Sequence, residues 1–253
     1  MTNAIQSLVF LLAHGSWHNP NMYDPLAQAL AQQDYSLITP ALPSMALDAP
    51  ANRTYWDADA ATLLAAAEPL FEQGTEVVLV GHSYGGIPAT VATRGQGVAE
   101  RKAAGLTGGF RHIVFLCAFA LEAQGLSLLD QLGGEPLSWQ TIDEDENESY
   151  VNVGAKDVLY NDLPADTAQE YFDELVPQSL TAATEPVDFA VPDITIGKTY
   201  IITENDLAFL PSLQQQLVDD LGLASLSVSG GHSSYASVPD EVADALIQIA
   251  SET

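Results

Sequence analysis

Cysteine is nearly missing: Cys117 stands alone among 253 residues. One thiol forms neither an internal disulfide framework nor a zinc site built on several thiolates. Basic residues are almost as scarce. Seven Lys and Arg face 34 Asp and Glu, a formal net charge of −27. That lies far outside the magnitude of about 2 to 8 that suits a small soluble domain. Such a field repels phosphate backbones and anionic bilayers, so no nucleic acid and no membrane surface is expected as a partner. The excess is spread along the chain and reads as a solvated face, whose self-repulsion a saline medium would screen. No apolar run reaches the roughly 20 residues that span a bilayer. The first stretch, MTNAIQSLVFLLAHG, has no basic residue before its apolar part. No secretory leader is therefore expected, and the expected location is cytoplasmic.

Hydrophobic residues make up 47% of the chain, ample for a core. Apolar, β-branched runs at 8–13, 36–38, 76–80, 112–117, 199–203 and 225–229 read as strands. Several are continuous rather than alternating, as expected when both faces of a parallel sheet are covered. Between them, residues 25–33, 57–72, 84–94, 210–221 and 239–250 read as helices. This alternation predicts an α/β fold with helices on both faces of the sheet. Residues 119–198 break the rhythm with an acidic, helix-poor stretch, scattered prolines and one predicted helix over 165–175. An insertion of that length between two sheet strands reads as a cap rather than a separate domain.

The strongest chemical signal is VVLVGHSYGG, residues 77–86. A strand runs into Gly81-His82-Ser83-Tyr84-Gly85-Gly86 and a helix leaves it, the context of a nucleophile elbow. The alternative is a glycine-rich turn with an idle serine. A serine hydroxyl needs a base. Of five histidines, His14 and His82 lie inside backbone-shaping motifs, His18 follows the first strand's loop, and His112 starts a strand. His232 stands apart, on a loop after Gly230 and Gly231 and before the last helix. The base in turn needs an acid, and both Glu204 and Asp206 follow a strand end. Asp206 is favoured because a short turn separates it from the strand. LLAHGSWH, residues 11–18, supplies a turn beside the elbow. The N–H groups of Ser16 and Tyr84 are the candidate oxyanion donors.

Taken together these elements resemble the α/β-hydrolase superfamily, and more narrowly the plant methylesterase and hydroxynitrile lyase family with its bacterial esterase relatives. The resemblance rests on HGSWHNPNMYDPLAQAL, GHSYGG, FLCAFA, LVPQSLTAATEPV, TENDLAFLP and GGH, and covers nearly the whole chain. It implies an α/β-hydrolase core from residues 1–118 and 199–253, with a cap at 119–198. It also implies Ser83 as nucleophile, Asp206 rather than Glu204 as acid, His232 as base, and Ser16 and Tyr84 as oxyanion donors. The cap would shape an apolar pocket lined by Trp17, Phe119, Trp139 and Leu207. No metal and no cofactor is implied.

Two positions separate the family's activities. Cyanohydrin-cleaving members place a threonine after the first-strand histidine and a lysine after the catalytic one. Here the residues are Gly15 and Ser233. Loss of the lysine removes the positive charge that would hold cyanide, and the glycine is expected to open space at the oxyanion hole. The expected activity is hydrolysis of a small-molecule ester through an acyl-enzyme. Hydroxynitrile lyase activity and a ligand receptor with a slow triad are the alternatives, and a homodimer is the assembly the reading allows.

Overall fold

The computed structural model describes residues 8–45 and 55–252. Residues 1–7, part of the stretch read for a leader, lie outside them. Six strands form one parallel sheet: β1 (Val9–Ala13), β2 (Ser36–Ile38), β3 (Glu76–His82), β4 (Gly109–Leu116), β8 (Gly197–Thr203) and β9 (Ala224–Val228). Their order is β2-β1-β3-β4-β8-β9. A smaller antiparallel sheet, β5 (Gln140–Asp143), β6 (Glu148–Val151) and β7 (Gln178–Ser179), lies between β4 and β8 in sequence. The helices in chain order are α1 (Asp24–Ala31), α2 (Trp56–Glu72), α3 (Gly86–Ala92), α4 (Val98–Ala103), α5 (Leu128–Gln131) and α6 (Gly154–Leu159). They continue as α7 (Ala165–Asp173), α8 (Leu180–Thr184), α9 (Pro211–Leu221), α10 (Ser234–Ser237) and α11 (Pro239–Glu252). None is long and apolar enough to cross a membrane among the described residues. This is the α/β-hydrolase fold expected from the sequence.

The strands read as unbroken apolar runs because both sheet faces are covered. Phe10, Leu12, Val78, Val80, Val114 and Leu116 share one core with Leu26 and Leu30 of α1 and Leu246 of α11. Leu11, Leu79, Ile113 and Phe115 point the other way and join Leu63 of α2, Ile87 of α3 and Leu217 of α9. Since β1 has β2 on one side and β3 on the other, the winding direction reverses between β1 and β3. Beyond the carboxyl ends of strands at such a reversal lies the crevice where ligands bind in open α/β sheets. The turn after β1 and the elbow after β3 open there.

The insertion is richer than the sequence suggests. Besides α7 it holds α5, α6, α8 and a three-stranded sheet. The acidic stretch forms the β5–β6 hairpin: Asp143 Oδ1 accepts the N–H groups of Asp145 and Glu146, and Asn147 sits at a left-handed φ of 57°. Side-chain acceptors and an asparagine in that region favour a turn over a helix. The helix predicted from residue 84 begins later, because residues 83–85 form a 3-10 turn before α3.

A carboxylate is buried under this side of the sheet. Asp59 of α2 accepts the Ser44 N–H (2.9 Å), the Ser44 hydroxyl (2.6 Å) and the Tyr84 phenol (2.7 Å). Burial pushes its carboxyl above the ordinary value and the three donors pull it partly back. The native state therefore holds this proton more tightly than the unfolded chain. Its contribution to stability is full below the unfolded value and lost as pH rises through the raised one. Tyr84→Phe takes one donor from the ionised form. It should cost about 1–3 kcal/mol at pH 7, with a smaller loss at pH 4 as Asp59 gains its proton, measured by urea unfolding at both pH values. An equal loss at both would remove Asp59 as the cause.

Candidate active site

The chain leaves β3 through a corner that side chains would block. A Cβ on Gly81 would meet Gly86 Cα at 2.6 Å, one on Gly85 the Ala13 carbonyl oxygen at 2.1 Å, and one on Gly86 the Phe119 carbonyl oxygen at 2.2 Å. Through that corner Ser83 adopts a φ of 52°, a left-handed value disfavoured for any residue with a Cβ. The Ser83 carbonyl accepts the Phe119 N–H at 3.0 Å. Tyr84 follows at the start of the turn into α3, where the first N–H groups of a helix lack intrahelical acceptors.

Two further loops converge on the Ser83 hydroxyl. His232 Nε2 lies 3.0 Å from Ser83 Oγ, and His232 Nδ1 lies 2.8 Å from Asp206 Oδ2. All three residues are buried. Asp206 is tied down on its other sides. Its Oδ1 accepts the N–H groups of Ala208 and Phe209, each at 2.8 Å. Its Oδ2 accepts the Thr203 hydroxyl and Gln214 Nε2, each at 3.0 Å. An acceptor-only carboxylate fixes the proton on His232 Nδ1 and leaves Nε2 free to accept from Ser83. Glu204, the other acid weighed above, is exposed.

The turn after β1 is equally constrained. Gly15 N–H donates to the Tyr23 phenol oxygen at 2.9 Å, and the left-handed Trp17 (φ 63°) accepts Val176 N–H at 2.9 Å. The Trp17 indole N–H reaches the Ser149 carbonyl and hydroxyl oxygens, both at 3.1 Å. One expectation fails here. Gly15 opens no space: a Cβ there would lie 2.9 Å from His82 Nδ1 and 3.1 Å from Ser83 Cβ, so the room is already filled.

Three buried histidines surround the turn, and each hydrogen-bond set fixes a neutral tautomer. His82 Nε2–H donates to the His232 carbonyl at 2.9 Å, so Nδ1 accepts the Tyr23 hydroxyl at 2.7 Å. His18 Nδ1–H donates to the Ser16 carbonyl at 2.6 Å, and its Nε2 accepts from Tyr160 at 3.0 Å. His14 Nε2 accepts the Leu42 N–H at 3.1 Å. Burial lowers His14 to about 4 and His18 to about 3, and holds His82 well below its ordinary value. All three are uncharged at neutral pH. Sequence reasoning assigned His14 and His82 to backbone shaping and missed these networks, because the Tyr23, Leu42 and Tyr160 partners are distant in the chain. His82, Cys117 and His232 also approach closely enough to suggest a metal centre among the described residues. Both nitrogens of each histidine are occupied by hydrogen bonds, however, and burial raises the Cys117 thiol well above its ordinary value. That donor set does not fit a cation.

Ser83 and His232 open into a cavity of about 280 Å³, roofed by the insertion and lined mostly by apolar side chains. Trp17, Phe119 and Trp139 line it, with the two indoles edge to face at 5.5 Å. Leu207 does not: it is 51% exposed. The turn that Asp206 Oδ1 nucleates directs Ala208 and Phe209 to the cavity in its place. The insertion also grips the loops beneath it. Asp162 Oδ2 accepts Gly231 N–H at 2.5 Å, and Asn161 Nδ2 donates to the Asn205 carbonyl at 3.0 Å.

Comparison with known proteins matches this architecture. A hydrolase nvfD from Aspergillus novofumigatus is 28% identical over 239 residues, 92% of each chain. Among solved structures, polyneuridine aldehyde esterase superposes with a TM-score of 0.79 at 16% identity, covering 96% of this chain and 99% of that one. A methylesterase from Arabidopsis gives 0.75 at 18%, covering 97% and 100%. At such identities the likeness is one of fold. A family model described as the alpha/beta hydrolase family matches residues 9–245, and with that span the chain belongs to this family.

Proposed function

We propose that this hydrolase is a serine esterase that cleaves small carboxylic esters through an acyl-enzyme. The observation that carries the reading is the series of contacts from Asp206 to His232 to Ser83, 2.8 and 3.0 Å, opening into an apolar cavity. As Ser83 Oγ attacks the ester carbonyl carbon, its proton passes to His232 Nε2. The N–H groups of Ser16 and Tyr84 hold the oxygen that becomes negative, preorganised by the Tyr23 and His18 hydrogen bonds around that turn. Collapse breaks the bond to the alcohol, which leaves with the proton from Nε2. Water then attacks the acyl group with the same base, and the carboxylic acid departs. Asp206 keeps the imidazole in its tautomer and stabilises the imidazolium. The insertion over residues 119–198 serves as the cap that shapes the acyl and alcohol subsites.

Esterase is preferred over hydroxynitrile lyase on one observation. Ser233, where lyases of the family carry lysine, is buried and accepts the Tyr235 hydroxyl at 3.2 Å, and no Lys or Arg lines the cavity among the described residues. A cyanide leaving group would find no cation among these residues. Relatives named as hydrolases, and a carbendazim-hydrolysing esterase from Nocardioides 31% identical over 118 residues (45% of this chain, 43% of that one), support the same choice.

Ser83→Ala should lower kcat on p-nitrophenyl butyrate by about 10⁶-fold without shifting the thermal midpoint downward; near-normal turnover would take the nucleophile's role from Ser83. Asp206→Asn, which keeps the shape but frees the tautomer, should reduce kcat by about 10⁴-fold. Steady-state kinetics giving less than a tenfold loss would argue against the assigned acid.

A further inference from the structure

Among the described residues, the cavity wall holds a buried side-chain amide nitrogen with no hydrogen-bond acceptor. Gln178, in β7 of the insertion, is 1% exposed, lines the same cavity as Ser83, and its Nε2 is buried without a hydrogen-bond partner. Several other polar groups of the wall have partners or reach solvent. Gln140 accepts the Leu137 N–H, Thr184 donates to the Leu180 carbonyl, both His18 nitrogens are engaged, and Glu144 is exposed at the rim. Ser16, Ser83 and His232 belong to the proposed chemistry. A buried amide N–H without an acceptor is rare in folded proteins, because the desolvation it suffers goes uncompensated. Its position is also fixed. Gln178 pairs with Ser149 across the β6–β7 ladder, and Ser149 is held by the Trp17 indole.

We infer that Gln178 is a specificity-determining residue, whose amide N–H donates to a neutral acceptor oxygen on the ester substrate. This deepens the esterase reading and rests on it. The substrate class is an apolar ester that carries one ketone, ether or amide oxygen away from the scissile bond. A carboxylate does not suit the position, since no Lys or Arg lines the cavity among the described residues and the chain carries a charge of −27. A purely hydrocarbon ester would leave the amide unpaired, and sites built to bond one polar group reject analogues that lack it.

The test uses matched ester pairs on the full-length protein and on Gln178→Met, which keeps length and volume but has no donor. One arm compares p-nitrophenyl pentanoate, hexanoate and heptanoate with their keto analogues of equal length. The other compares alkyl butyrates with ether-containing alcohols of equal length, followed by pH-stat titration. The native protein should prefer the oxygen-bearing ester at least tenfold in kcat/KM in one arm, and Gln178→Met should bring that pair within twofold. The arm that responds locates the oxygen on the acyl or the alcohol side. No preference in either arm, or a preference that survives Gln178→Met, overturns the inference while leaving the esterase reading intact. Absence of all hydrolysis overturns the esterase reading instead. Gln178 is then tested by binding to Ser83→Ala protein, followed by fluorescence of Trp17 and Trp139: equal affinity for both members of every pair overturns it. Gln178→Met should unfold at or above the native midpoint, which separates lost recognition from a damaged fold.

Discussion

The close approach of backbone segments at residues 81–86 is the constraint on which the site depends. Gly81, Gly85 and Gly86 let β3, α3, the end of β1 and the Phe119 strand-end loop come nearer than any Cβ permits. That proximity holds Ser83 at φ 52°, a conformation worth roughly 1–3 kcal/mol of strain. The surrounding structure overdetermines it: the Ser83 carbonyl is bonded to Phe119, and Tyr84 is anchored on Asp59. Relaxing the corner would move the hydroxyl away from His232 and the Tyr84 N–H away from the crevice together.

Along one path beside this corner, each buried donor meets one acceptor. The path from Gly15 N–H through Tyr23, His82 and the His232 carbonyl links the β1 turn, the elbow and the His232 loop in one directed chain. Because burial keeps His82 and His18 neutral at ordinary pH, that chain keeps its direction, and neither ring adds a positive charge beside His232. The stacked Tyr23 and Tyr235 rings, 4.2 Å apart, close the space behind it. This path is thus built from uncharged partners, which a low-dielectric interior tolerates far better than ions.

Much of this was legible from residues alone. Ser83, Asp206 and His232 each stand just past a strand, and a parallel sheet brings successive strand ends to one edge; the sequential spacing therefore carries the spatial one. Gly81, Gly85 and Gly86 announce a tight corner without any partner being known. Asp59, His18 and Gln178 were not legible, since their roles come from contacts dozens of residues away. Strands β5 to β7 escaped because four residues or fewer give no usable alternation, and their stability comes from each other and from Trp17. Leu207 was misplaced by one turn of chain: the carboxylate's own hydrogen bonds decide which neighbours face inward. Gly15 read as free volume and proved to be a contact, a distinction only three-dimensional packing makes.

Asn161 and Asp162 give the insertion a second meaning. Through them the roof is stitched to Asn205 and Gly231, one residue from Asp206 and one from His232. The roof is thus not a detachable module. A chimera that grafts a relative's roof onto this sheet inherits a new pocket shape, but it must also supply an acceptor for the Gly231 amide and a donor for the Asn205 carbonyl. Divergence in substrate range within such a scaffold is therefore freest in the cavity wall and most restricted at these two seams.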